Sequence, residues 1–179
     1  MTLDTSCVIH AVHDQSQAGD VERLIDAAIK ARVTLWLTAA FAADQALASS
    51  DHLHANLAWL AERPVNQAIP GPFRLDYSAL DGPDVLIDES TSVAIGIIEK
   101  VLLPKRYRPG QIDGEDQQLM KRWRRKLHDV QHLAAHHMAG HDAFVTTDVD
   151  DMIKKRDELW KRASIRVVTP AEALALLDS

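Results

Sequence analysis

The stretches that decide the fold are Thr2-Leu3-Asp4-Thr5-Ser6 and Phe144-Val145-Thr146-Thr147-Asp148. In each of them an aspartate lies just past a short apolar run that is typical of a buried parallel strand. Open α/β sheets place their ligand sites at the carboxyl ends of such strands. We therefore predict that Asp4 and Asp148 lie together at one edge of a parallel sheet.

The rest of the chain alternates between strand and helix patterns, which predicts an α/β domain with a central parallel sheet. Further strands are expected at 33–37 and 165–168, and the helical pattern stops between Pro64 and Pro72, which indicates a connection. Short extended pieces are expected at 73–75 and 85–87, and a second connection at 104–114. Helices are predicted at 5–13, 21–32, 39–49, 52–62, 90–103, 115–138 and 149–163, with a last helix that begins at Pro170.

A third acid, Asp129, lies on the strongly helical stretch before Asp148 and can reach the same edge from the side. Three converging carboxylates repel one another and take up protons unless a hard cation neutralises them. The pattern therefore predicts a site for a divalent metal ion. Taken singly, Asp4 and Asp148 also fit the role of helix N-caps, since each precedes a predicted helix.

Composition sets the class of protein. The chain has 179 residues, 46% of them hydrophobic, which is enough for the core of one domain. Its only cysteine, Cys7, is expected to be a buried thiol, and this favours a reducing compartment, the cytoplasm. The apolar runs are too short to cross a bilayer, so no membrane anchoring is expected. The net charge of −6 argues against coating by nucleic acid along the whole surface.

Four stretches resemble the motifs of the PIN-domain family of metal-dependent ribonucleases. They are Leu3-Asp4-Thr5-Ser6, the helix from Asp129 to Gly140, Phe144-Val-Thr-Thr-Asp148, and Val167-Val-Thr-Pro170, in the same order and with similar spacing. The resemblance implies a PIN-like three-layer fold in which a parallel sheet is flanked by helices. It covers residues 1–62 and 114–179. We therefore expect a single domain, 1–179, with an unmatched insertion at about 64–113.

The same resemblance implies a nuclease that hydrolyses RNA phosphodiester bonds with Mg²⁺ or Mn²⁺. The expected ligands and catalytic residues are Asp4, Asp44, Asp129 and Asp148, where Asp44 takes a place usually held by Glu. Thr5, Ser6 and Thr146 are expected to orient these carboxylates or a metal-bound water. The family includes toxins of toxin-antitoxin pairs, which implies an antitoxin or another protein as a partner; a homodimer is also compatible with the sequence.

Two features of the helix before Asp148 have alternative interpretations. Arg122, Arg124 and Arg125 belong to a basic block around Trp123, which is either a solvated face or an RNA contact with a stacking ring. His128, His132 and His136 recur every four residues, a spacing that can bind zinc but that we assign more readily to a solvated or RNA-facing stripe. The rival function is a non-catalytic PIN-like module that binds RNA or protein.

Overall fold

The structure is a computed structural model that describes residues 1–46, 50–73, 84–103 and 117–179. Its strands are β1 (Thr2–Leu3), β2 (Leu35–Thr38), β3 (Val65–Ile69), β4 (Phe144–Val145) and β5 (Val167–Val168). Its helices are α1 (Thr5–Val12), α2 (Ala18–Ile29), α3 (Ala40–Ala46), α4 (Ser50–Ala61), α5 (Glu89–Leu102), α6 (Gln117–Ala139), α7 (Arg156–Ala163) and α8 (Pro170–Leu177).

The five strands found among the described residues are all parallel, and their order across the sheet is β3-β2-β1-β4-β5. The chain therefore builds outward from β1 on one side and then returns to place β4 on the other side. The carboxyl ends of β1 and β4 lie at this reversal, the position at which open α/β sheets form a crevice for ligands. Asp4 follows β1 directly, and Asp148 follows β4 after two threonines.

Helices cover both faces of the sheet, which makes a three-layer α/β domain. Leu3 and Val145, which are paired across β1 and β4, share one apolar cluster with residues of α1, α2 and α8. Phe144 and Val167 face the other way and pack with residues of α5, α6 and α7. The alternation arises because successive strand residues point to opposite faces. Cys7 is fully buried in the first cluster, as the sequence predicts.

The prediction of a connection from Pro64 to Pro72 is wrong for most of its length, because Val65–Ile69 forms the edge strand β3. Among the side chains of β3 that the structure describes, Val65 and Ile69 are buried, whereas Asn66 and Gln67 are exposed. An edge strand has one neighbour and can carry such polar residues, so its pattern is weak. Pro72 forms a parallel bridge with Val85, close to the predicted extended pieces.

The helix predicted at 149–163 also begins later than expected. Residues 149–152 form turns, a 3-10 helix spans Ile153–Lys155, and the α-helix begins only at Arg156.

Two other helix ends follow from local residues. Gly140 ends α6 with a φ of 65°. Thr169 caps α8 in a reciprocal capping box, and Pro170 lies in the first turn of that helix.

The expected insertion at 64–113 contributes to the core as far as the structure describes it. Besides β3, it supplies α5, whose Ile98 and Leu102 are fully buried against α6 and α7. The predicted connection at 104–114 and residues 74–75 lie outside the described residues. Within the described ranges, no helix is both long enough and apolar enough to cross a membrane.

Candidate functional site

The four predicted acids line one cleft of about 690 Å³ at the carboxyl edge of the sheet. Each of them comes from a different part of the fold: the end of β1, α3, α6 and the segment after β4. The volume lies within the usual range of small-ligand sites, roughly 300–1,000 Å³. The cleft is therefore large enough to take a substrate group beside the acids. They are Asp4, Asp44, Asp129 and Asp148.

Asp4 is held by hydroxyl groups from both sides of the strand pair. Its Oδ2 atom accepts hydrogen bonds from Ser6 Oγ at 2.6 Å and from Thr146 Oγ1 at 2.7 Å. Although Asp4 stands at the N-cap position of α1, its side chain makes no capping hydrogen bond. Because the side chain is buried and fixed through Oδ2, Oδ1 is the oxygen left to meet a ligand within the described structure.

Asp148 lines the cleft, and the alternative prediction that it caps a helix is wrong, because turns follow it and the 3-10 helix begins only at Ile153. Its Oδ1 atom accepts hydrogen bonds from the backbone N–H groups of Asp150 at 3.1 Å and Asp151 at 3.0 Å, which hold the turn that follows it. Its own backbone N–H donates to Thr146 Oγ1 at 3.0 Å. Since both of these hydrogen bonds end on Oδ1, they do not prevent Oδ2 from meeting a ligand.

Asp129 pairs with a lysine one helical turn earlier. Lys126 Nζ donates to Asp129 Oδ2 at 2.9 Å and also contacts Asp151 closely. Burial raises the pKa of Asp129 to about 6, and the negative charge of Asp4 adds to the rise while Lys126 opposes it. Burial lowers the pKa of Lys126, but its carboxylate partners outweigh this and raise it overall. The influence of Asp4 on Asp129 indicates that the two acids lie close enough to repel each other.

Both oxygens of Asp44 already have protein partners. His128 Nδ1 contacts Oδ1 closely, while Oδ2 is 2.8 Å from His132 Nε2 and accepts from Thr5 Oγ1 at 2.7 Å. Burial raises the pKa of Asp44, but the hydrogen bonds from the two histidines outweigh this and lower it overall. Burial conversely lowers the pKa of His132, and Asp44 outweighs that effect and raises it overall. Asp44 and His132 therefore form an ion pair at the wall of the cleft.

The expectation that the histidine stripe is solvated or faces RNA is wrong. His128, His132 and His136 are each less than a tenth exposed, and threonines connect two of them to the sheet. His132 Nδ1 lies 2.5 Å from Thr38 Oγ1, and His136 Nδ1 lies 2.9 Å from Thr2 Oγ1. Burial lowers the pKa of His136 to about 3, so that its ring is neutral.

The basic block is divided between the cleft, the surface and the interior. Arg122, Arg124 and Arg125 are all exposed, but Arg125 alone among these three lines the cleft. Trp123 does not offer the predicted stacking ring, because it is 8% exposed and packs against Leu127. Alternating exposure of this kind follows from the helix, which turns successive side chains by about 100°.

The cleft has a further wall that the sequence interpretation did not include. Ile9 and His13 project from α1 and its C-terminal end, one and two turns beyond Thr5, and His52 and Asn56 stand one turn apart on α4. Gln15 follows His13 at the rim. The spacing of Thr5, Ile9 and His13, four residues apart on the helix that begins at Asp4, is the one signal that could have found part of this wall.

Across the described ranges, no three histidine, cysteine or acidic side chains converge closely enough to hold a metal ion by themselves. The four acids share a cleft without forming a completed coordination sphere. Comparison with protein-family models, with curated proteins and with solved structures gave no match.

Proposed function

We propose that this chain is a divalent-metal-dependent ribonuclease that hydrolyses RNA phosphodiester bonds at the cleft between β1 and β4. The observation that carries the proposal is that four carboxylates, from four separate parts of the fold, line one cleft at the reversal point of a parallel sheet. The motif resemblance to PIN-domain ribonucleases supports the same chemistry. Membership of a toxin-antitoxin pair rests on that resemblance alone, and a cytoplasmic location on the single buried thiol of Cys7.

The donor chemistry of the cleft fits Mg²⁺ or Mn²⁺. Both ions prefer oxygen ligands, and Mg²⁺ keeps several of its waters and binds directly to only one or two carboxylates. A preformed set of three close side chains is therefore not required. Within the described structure, hydrogen bonds to three of the acids leave one oxygen of each for such an ion: Asp4 Oδ1, Asp129 Oδ1 and Asp148 Oδ2.

A metal ion bound here supplies a water nucleophile and stabilises the charge that develops on the phosphate oxygens. The residues around it do the positioning. Ser6 and Thr146 fix the direction of the Asp4 carboxylate from two elements. Lys126 balances the charge of Asp129, and Arg125, the residue before it, offers a contact to an RNA phosphate.

The test is cleavage of a mixed RNA pool with Mn²⁺. The wild-type protein should cleave it, addition of a chelator should stop cleavage, and Asp4→Asn should reduce the rate at least a hundredfold while circular dichroism remains unchanged. Asp150→Asn is the matched control, because Asp150 is an exposed neighbour that pairs with Lys154 and does not line the cleft. Wild-type rates in Asp4→Asn would rule out this site.

The second candidate is a PIN-like module that binds RNA without cutting it. The observation that favours it is that two of the acids already have charged or basic partners within the protein. Asp44 contacts two histidines, and Asp129 pairs with a lysine. Such a module should bind RNA with the same affinity with and without Mn²⁺ and leave it intact. Cleavage that depends on Mn²⁺ and on Asp4 would exclude it.

A further inference from the structure

The cleft continues beyond the carboxylates along α1. Thr5, Ile9 and His13 follow one another at four-residue spacing from Asp4 to the C-terminal end of the helix. Eight residues of α-helix are about 12 Å long, so this wall extends well past the acids. The cleft is too long for a metal ion and a phosphate group alone. Its distal part has room for another portion of the substrate.

The distal part carries two exposed imidazole rings in contact with each other. His13 and His52 have ring centroids 4.8 Å apart and meet edge to face at 65°. His13 is the residue that ends α1 and His52 belongs to α4, and both line the cleft together with the apolar side chain of Ile9. Exposed rings that are fixed by a neighbour and lie beside apolar surface offer a platform on which a flat ring can stack.

Amide groups complete this wall. Asn56 lies one turn after His52 on α4 and is 1% exposed, which fixes its position, while Gln15 is exposed at the rim. The exposed carboxamide of Gln15 presents both a donor and an acceptor, the combination that recognises the edges of nucleobases. Lysine and arginine do not line this distal part: among the described residues of the cleft, the one basic side chain, Arg125, belongs to α6 beside Asp129.

We propose that Ile9, His13, Gln15, His52 and Asn56 form a subsite for one unpaired nucleobase of RNA. A base stacked on the face of one of these two rings, with the edge of the other beside it, would place the adjoining phosphate toward the carboxylates, so that the enzyme acts on single-stranded RNA and prefers certain bases next to the cut. The identification of the ligand as RNA rests on the proposed function. The stacking platform itself is independent of catalysis and can be tested separately.

The direct test uses the four ribonucleosides as probes, without metal. They carry the base but no phosphate, so their binding needs neither a cation nor Arg125. Added nucleosides should shift the imidazole NMR signals of His13 and His52, whereas ribose should not. His52→Ala should weaken nucleoside binding roughly fivefold to a hundredfold, the range that base stacking on a side chain provides. Gln15→Ala should change the order of preference among the four nucleosides.

His54→Ala is the matched control, since His54 is also exposed on α4 but does not line the cleft. This variant should bind nucleosides as the wild type does, and circular dichroism should show that both variants are folded. Nucleosides that shift neither ring, or a His52→Ala variant with unchanged affinity, would overturn the subsite. Imidazole shifts caused by Zn²⁺ but not by nucleosides would overturn it in favour of a metal site.

The RNA experiment separates this proposal from the proposed function. With Mn²⁺, His52→Ala should raise the KM for single-stranded RNA and flatten the base preference, with a smaller effect on kcat. If nucleosides bind but no RNA is cleaved by the wild type, the hydrolytic function is wrong and the subsite stands. If RNA is cleaved with unchanged base preference in His52→Ala, and nucleosides do not bind, the subsite is wrong and the hydrolase stands.

Discussion

At the scale of single residues, the burial of Asp129 links the site to the stability of the fold. Its pKa is about 6 in the folded protein, against an ordinary value of 3.8. In the unfolded chain the group ionises near the ordinary value, so the folded state holds the proton more tightly. The wild type should therefore lose free energy of unfolding as the pH rises from about 4 to about 6.

Asp129→Asn cannot ionise and should not show this loss. Above about pH 7 the variant should gain roughly 2–3 kcal/mol over the wild type, less what it loses through the weaker contact with Lys126. Urea unfolding at about pH 4 and pH 8 measures the difference. The exposed Asp150→Asn should follow the wild-type pH dependence, and the same dependence in Asp129→Asn would show that the carboxylate is not buried as described.

The ion pair of Asp44 and His132 gives a second prediction at this scale. Removing either partner leaves the other in a poorly solvated place, so Asp44→Ala and His132→Ala should each lower the free energy of unfolding by roughly 3 kcal/mol. The double variant should cost clearly less than the sum of the two, because the interaction is lost only once. Urea unfolding of all four proteins measures the coupling, and additive losses would contradict the pairing.

At the scale of elements, α6 places two neighbouring arginines differently with respect to the cleft. Arg124 and Arg125 are adjacent exposed arginines, but Arg125 lines the cleft. Arg125→Ala should weaken RNA binding and lower the log-log salt slope by about one, because one phosphate contact is lost. Arg124→Ala should change neither. Equal effects of the two substitutions on the slope would indicate a diffuse basic surface rather than a directed contact.

The histidines of α6 show why a regular spacing does not determine a role. Their recurrence every four residues places them on one face of the helix, which the sequence shows. Whether that face meets water or the sheet depends on Thr2 and Thr38, which are 134 and 94 residues away in the chain from their histidine partners. Polar residues on a helix suggest a solvated face unless partners of this kind are known.

At the scale of the whole molecule, the site joins both halves of the sheet, so ligand binding there should stabilise the complete fold. Mn²⁺ at a hundred times its Kd should stabilise the protein by about 2.7 kcal/mol. For a domain of this size that corresponds to a rise in Tm of roughly 5–10 °C. Differential scanning fluorimetry measures the shift, which should be absent in Asp4→Asn and retained in Asp150→Asn.

Local patterns in the sequence determined most of the elements and their faces. Apolar runs that end in Asp4 and Asp148 placed these acids after neighbouring parallel strands, since strand burial and the position of a strand end are local properties. The start of the last helix at Pro170 was likewise evident, because it depends on a few adjacent residues. The edge strand β3 was missed because half of its described side chains face solvent.

Only the tertiary structure decided which groups meet. In the structure, Asp44 contacts His128 and His132, and Trp123 is buried in the core. Arg125 lines the cleft, and the rings of His13 and His52 are in contact. These contacts join residues that are far apart in sequence, and their geometry follows from how helices pack on the sheet. A local pattern fixes the face on which a side chain lies, but packing against distant segments fixes its partners.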